Sequence, residues 1–467
     1  MTAAAPTARV LAVAALLAPL TLYPALVNGA PLVFSDSASY LNRFRDAGLP
    51  PFYAAFIRIL GLAGRLEPVL TAQAFVAASA VVLTLARAGS VRRTATLVAL
   101  GGCAILLNQL PWLASWLMPD LFTGIGGIAL LLLVLVPERL PRLERLGLAL
   151  VLFGCSLMAS ANMPLFLGLL LFTAGARMWL MRERIAIPTV ALALLAIAGA
   201  VGTTFLANKA IHGRWQLNSG GPALTFSRLV DIGVAQPVVA RECARNDHAI
   251  CPHQAAIARS SSHAQVFLWE GPAEWTAART TNAAEFARLN SLILRESWPA
   301  VLLNGAAESV TLFTRPTLGN LSGKPEADGR ELSPFGKGHV VAKAMERRFP
   351  AHAPAHLSAR QQRGEFKAAF PALPFAFSTY AGYVLLAVLL GMRLARGDKV
   401  GAAIALSALA LVAGQILLHA TLVGPFARYH VKVAWVAWPL VLALLSRLWA
   451  AGAAQAPPQF LLAPAAR

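Results

Sequence analysis

The chain has 467 residues, of which 57% are hydrophobic and only 13% charged, and its mean hydropathy is +0.61. Those values exclude a soluble globule, whose core has no use for so much apolar surface, and they indicate an all-α polytopic membrane protein. The formal net charge of +19 is dispersed among loops without any nucleic-acid-binding motif, so nucleic acid is excluded and anionic lipid or a phosphate-bearing molecule is the expected partner.

An apolar run near residues 10–27 opens the chain. Arg9 before it and small residues after it imitate a signal peptide, but the many later runs and the lack of a cleavage site favour a retained first helix. Directly beyond lies Phe34-Ser35-Asp36-Ser37-Ala38-Ser39-Tyr40. A carboxylate near hydrocarbon is costly to desolvate, so Asp36 is either a functional group facing a cavity or a paired structural charge; function is the favoured reading. Two short amphipathic patterns follow, Ser37 to Asp46 and Phe52 to Arg65, separated by Gly48-Leu49-Pro50-Pro51, and both are expected along the membrane surface.

Further apolar runs lie near 67–86, 95–108, 118–136, 146–161, 163–181, 187–207, 376–395, 400–419 and 433–450. Ten transmembrane helices are expected, although some runs are short and Pro111, Pro119 and Pro164 leave room for re-entrant segments. Arginines fall in alternate short loops, at Arg87, Arg92 and Arg93, at Arg139, Arg142 and Arg145, and at Arg177, Arg182 and Arg184, with Arg393, Arg396 and Lys399 later. The positive-inside rule makes these loops and both chain ends cytoplasmic, and puts residues 28–66, 109–118, 208–375 and 420–432 outside.

Cys103 and Cys155 fall within helices, where a thiol ordinarily packs as a small apolar group. Asp120, in Trp116-Leu117-Met118-Pro119-Asp120, is expected at the outer start of a helix, where capping and function are equally good readings. The Gly124, Gly126 and Gly127 cluster imitates a phosphate loop but sits in an apolar run with no following Lys, so close helix packing explains it better.

The chain divides into a membrane half at 1–207, an outer insertion at 208–375, closing helices at 376–450 and an Ala/Pro-rich tail at 451–467 with little reason to fold. In the insertion, Cys243 and Cys251 are expected to form a disulfide if the compartment is oxidising; a metal site with His248 and His253 is the weaker alternative. Phe286, Leu289, Leu292 and Ile293 recur at helical spacing, and Trp298-Pro299 with Leu302, Leu303 and Ala306 suggests a second amphipathic helix. Gly319 to Lys343 reads as a mobile loop or a linker, and the Asn320-Leu321-Ser322 acceptor match is ignored.

His419, at the outer end of a run, is expected to be a packed residue. Beyond it, Gly424-Pro425-Phe426-Ala427-Arg428-Tyr429-His430-Val431-Lys432 puts two cations and an imidazole on the outer face, where cations are disfavoured. Such a cluster suits a phosphate, and snorkelling to lipid is the bland alternative.

An acid after the first helix, a long first outer loop, a second acid after a later outer turn, and Arg-Tyr before the last run together resemble the C-type glycosyltransferase superfamily. The arrangement is most similar to bacterial relatives of the protein mannosyltransferases and the aminoarabinose transferases. The resemblance implies an enzyme of the bacterial inner membrane, active at its periplasmic face, that takes sugar from a polyprenyl-phosphate donor to a lipid or glycan acceptor. It implies Asp36 and Asp120 as catalytic acids and Arg428 as the donor-phosphate contact, with Tyr40, Tyr429 and Lys432 as neighbours; a divalent cation stays open. The large insertion departs from many of these relatives. A lipid or glycan transporter and a non-catalytic envelope assembly protein are the competing readings, with an acyltransferase behind them.

Overall fold

The computed structural model describes residues 6–42, 49–61, 64–182, 186–218, 220–246, 248–259, 283–318, 334–366 and 370–455. Among them the protein is helical, and its only ladder pairing is a parallel bridge between Leu32 and Trp116. Seven helical runs are long and apolar enough to cross a membrane: α1 (Thr7–Asn28), α4 (Glu67–Arg87), α9 (Asn162–Met181), α10 (Ile187–His212), α17 (Ala372–Ala395), α18 (Lys399–Leu422) and the final run Ala427–Trp449. This is a multi-pass membrane protein. The other three apolar runs of the sequence are helical but shorter, at 13, 15 and 17 residues: α5 (Thr94–Leu106), α7 (Leu121–Leu135) and α8 (Arg142–Met158).

One of the short runs, α7, is the centre of the bundle. Every residue of α7 is buried, with α8, α9 and α18 packed around it. Its glycines are there for packing: a Cβ at Gly124, Gly126 or Gly127 would collide with Trp435, Phe166 or Leu411. Outward, by contrast, the bundle shows Leu195, Leu171, Val384 and Phe377, while Gln73, Thr84, Asn162 and Gln415 are buried. An apolar exterior over a polar-bearing interior is the polarity that a hydrocarbon solvent selects. Cys155 is buried as expected, but Cys103 is exposed on α5, because the short helix turns that face away from its neighbours.

Between the spans, α2 (Ser37–Asn42) and α3 (Pro51–Leu60) follow the first crossing, and α6 (Leu110–Ala114) is a single turn begun by Pro111. Residues 43–46 of the first amphipathic pattern lie outside the described residues. The insertion holds α11 (Gly221–Asp231), α12 (Ala235–Cys243), α13 (Gln254–Arg259), α14 (Ala283–Phe313), α15 (Val340–Arg348) and α16 (Ala353–Ser358). It has its own small core, in which Phe226, Val230, Val238, Phe286, Leu289 and Ile293 meet. Cys243 and Cys251 form a disulfide with Cα atoms 5.5 Å apart. The two amphipathic helices expected around Trp298 are one: α14 runs for 31 residues straight through Pro299. The acceptor match at Asn320 and most of the Gly319–Lys343 stretch lie outside the described residues.

At the end, α19 (Ala427–Ala434) and α20 (Ala437–Gln455) form the last run. The helix continues five residues past 450, into the tail expected to be unstructured; 456–467 lie outside the described residues.

Candidate functional site

Asp36 sits in a turn fixed by short-range hydrogen bonds. Ser37 N donates to Phe34 O at 2.9 Å, Phe34 N donates to Ser37 Oγ at 2.9 Å, and Ser37 Oγ donates to Leu117 O at 3.0 Å. Just upstream, Leu32 N donates to Ser115 O and Leu117 N to Leu32 O, both at 2.9 Å. The segment bearing Asp36 is thus laid against the segment that leads into Asp120.

The insertion clamps the other side. Gln361, fully buried, donates Nε2 to Val33 O at 2.7 Å and accepts from Val33 N at 3.2 Å, while its own N–H donates to Asn28 Oδ1 at 2.8 Å. Pairing both backbone polar groups of one residue imitates a strand partner and leaves that backbone little freedom. Nothing in the local pattern around Gln361 announces this; a buried amide selected by a backbone 328 residues away has no periodic signature.

Opposite, α19 begins after Gly424, whose φ of 131° only glycine adopts readily, and Pro425. Helical spacing puts Arg428 and Lys432 on one face. Arg428 Nη1 donates to Asp36 Oδ2 at 2.8 Å and Nη2 to Tyr429 Oη at 3.0 Å, and the guanidinium lies 4.7 Å from the centroid of the Phe34 ring. Lys432 Nζ lies 3.0 Å from Asp120 Oδ1 and 4.7 Å from the Tyr429 ring. The Lys432 contact is ionic rather than a hydrogen bond, since Asp120 Oδ1 is buried with no well-oriented donor.

Asp120 occupies the N-cap position of α7 but caps nothing, its side chain accepting no backbone N–H there. The side-chain capping bond expected from sequence is therefore absent, while the helix N-terminal position that the dipole favours is kept. Tyr40 is buried and packs edge-on against Tyr53, with ring centroids 5.1 Å apart. Burial raises the Tyr40 phenol well above its ordinary value, and the Asp36 and Asp120 carboxylates push it further while Arg428 opposes them. Tyr40 therefore stays a neutral hydroxyl within the field of both acids.

The imidazole grouped with these cations in the sequence turns away from them. His430 packs between Phe313 and Tyr383, with Nδ1 3.1 Å from Leu312 O and Nε2 2.8 Å from Tyr383 Oη. It sits two positions from Arg428 and two from Lys432, about 200° around the helix, which reverses its direction. His419 is buried as expected, its ring 4.4 Å from that of Tyr429. Sequence reading missed Phe34, which carries the Arg428 guanidinium, and the pair Tyr53 and Gln73. Tyr53 Oη lies 2.5 Å from Gln73 Oε1, and Gln73 Nε2 donates to Ala114 O and Trp116 O, both at 3.0 Å. A polar Gln in the first turns of an apolar span was the available signal.

Among the described residues no group of three or more His, Cys, Asp or Glu side chains is placed to hold a metal ion. Cys243 and Cys251 use each other, which removes the thiols from the alternative metal set with His248 and His253. The site thus offers two carboxylates, two cations and a π-face at one end of the bundle, drawn from segments up to 392 residues apart. Against known proteins, no family model, no curated protein and no solved structure matches this chain.

Proposed function

We propose that this protein is a membrane glycosyltransferase that moves a sugar from a polyprenyl-phosphate donor to a lipid or glycan acceptor at the periplasmic face of a bacterial inner membrane. The observation that carries the reading is the pairing of Asp36 with Arg428 beside Lys432 and Asp120. A base and phosphate-binding cations must meet in such a site, and this pairing is what supports the reading.

In the proposed reaction Asp36 takes the proton of an acceptor hydroxyl as its oxygen attacks the anomeric carbon. The bond from that carbon to the phosphate oxygen breaks with its electron pair on the leaving polyprenyl phosphate, and one displacement inverts the anomeric configuration. Arg428 and Lys432 receive the charge gathering on the leaving oxygen, where fixed cations in a water-poor site act most strongly. A donor phosphate that engages Arg428 loosens its bond to Asp36, so donor binding itself frees the base. Asp120 keeps Lys432 in place, and Tyr429, against which both cations pack, orients them.

The test is mass-spectrometric detection of polyprenyl phosphate released from a panel of lipid-phosphate sugars with envelope acceptors, comparing the native protein with Asp36→Asn. Release that depends on Asp36 supports the reading. Absence of release by the native protein across the panel overturns it in favour of transport or assembly, and undiminished release by the variant overturns the role of Asp36 as the base.

A further inference from the structure

Helix α14 changes character at Pro299. Before it, Phe286, Leu289 and Ile293 are buried in the core of the insertion while Arg288, Arg295 and Glu296 face outward. This is the pattern of a water-facing helix. After it the pattern inverts. From Trp298 to Phe313 every exposed residue is apolar: Trp298, Leu302, Leu303, Val310 and Phe313 are the large ones, and the remainder are Pro or Ala. None of the polar residues of this stretch, Asn304, Glu308, Ser309 and Thr311, is exposed.

The inward side is anchored on the ends of the spans. Buried Arg228 of α11 donates to Asn304 Oδ1 at 3.0 Å, pairs with Glu308, and donates Nε to Thr421 O at 3.2 Å and Nη2 to Ala420 O at 2.6 Å. Gly305 packs so closely on Thr421 that a Cβ would collide with it. Farther along, the Leu312 carbonyl meets His430, and the Phe313 ring lies 5.4 Å from that of Tyr380 on α17. The stretch therefore packs on the last turn of α18, the N-terminal third of α17 and α19, and Leu417 and Leu422 of α18 are exposed apolar residues as well.

We infer that Trp298–Phe313 is embedded in the membrane, in the leaflet on the side of the candidate site, with acyl chains covering its exposed face. Water would strip stability from nine adjacent uncovered apolar positions, whereas hydrocarbon solvates them and penalises the polar groups that here face inward. At 1.5 Å per residue the stretch is about 24 Å long, less than a full crossing, which fits a helix lying within one leaflet. Arg295 and Glu296 mark where it leaves the lipid, and Trp298 sits at that boundary, where indole rings collect. The inference stands on polarity and packing and is independent of the proposed transfer reaction.

Spin-label accessibility tests it. In a Cys103→Ala, Cys155→Ala background, Leu303→Cys, Ala306→Cys, Val310→Cys and the control Arg295→Cys are each labelled with a nitroxide. The full chain is then reconstituted in phosphatidylcholine/phosphatidylglycerol vesicles, and circular dichroism confirms that each is folded. Collisions with oxygen should exceed those with chelated nickel at 303, 306 and 310, with the ratio reversed at 295. Nickel accessibility at the three positions equal to that at 295 would show water and overturn the inference. Low accessibility to both reagents would show a covering protein or second copy, and would overturn it as well.

Discussion

Ion pairs close both ends of the bundle, and the two ends use them differently. At the end away from the site, Glu144 accepts from Arg87 Nε at 2.7 Å, again from Arg87 Nη2, and from Thr7 Oγ1 at 2.7 Å, with the Arg87 and Glu144 side chains 0% and 4% exposed. Asp398 there caps α18 through Gly401 N and accepts from Arg393 and Arg447. At the other end Asp36 accepts one side-chain hydrogen bond among the described residues and is 29% exposed, while Asp120 has an ionic contact alone. Carboxylates bonded several-fold hold helices together. Asp36 and Asp120 keep unused hydrogen-bonding capacity, and that, rather than burial, separates the two ends, since Asp120 is 3% exposed and Asp398 21%.

Exchanging the roles breaks this comparison most sharply. Asp36→Asn should lower polyprenyl phosphate release about 10²- to 10⁴-fold, the usual worth of a general base, while leaving thermal stability near that of the native protein. A collapse of stability instead would make Asp36 structural. Glu144→Ala should do the opposite, costing about 3–5 kcal/mol by stranding a buried guanidinium, seen as early unfolding in a detergent thermal melt. If Glu144→Ala melts like the native protein, the end with the several-fold bonded carboxylates is not the structural one.

Removing the Cys243–Cys251 bridge by paired Ser substitution tests a region outside both ends. The short loop it closes predicts a loss of about 2–3 kcal/mol, read as faster proteolysis of the insertion with transfer activity retained. Gln361→Ala sharpens the comparison within the site: loss of its two bonds to Val33 should cost about 1–3 kcal/mol. It should appear mainly in kcat, because Asp36 is left in place but free to wander, and an effect on KM alone would argue against a positioning role.

The smallest expected effect is on pH dependence. Burial holds the His356 and His339 imidazoles below their ordinary value, with the Phe335 carbonyl partly opposing this at His356. His339 Nδ1 also accepts the Val341 N–H that caps α15, at 3.2 Å, a bond the protonated ring cannot make. The unfolded chain then binds more protons than the folded one, so stability is full above about pH 6.5 and is lost as pH falls below it. A melting temperature that drops on acidification, and drops less in His356→Asn, is the expected result; an identical slope in the variant would discount His356.

The seven long spans, the helical insertion and its disulfide were legible before any coordinates, because hydrophobicity at helical period and two close cysteines in one loop are local properties of the chain. So were the outliers: Asp36, Asp120, Arg428 and Lys432 are charges where hydrocarbon makes charges expensive. Their pairing was not legible, since nothing local to Asp36 says that its partner lies 392 residues on. Neither was the reversal of His430, nor the continuation of α14 through Pro299 and the inversion of its faces. Sequence determined which residues are costly to place in a membrane. Only the tertiary structure decided what relieves each cost, because a buried charge or amide takes its partner from whatever the fold brings within hydrogen-bonding distance.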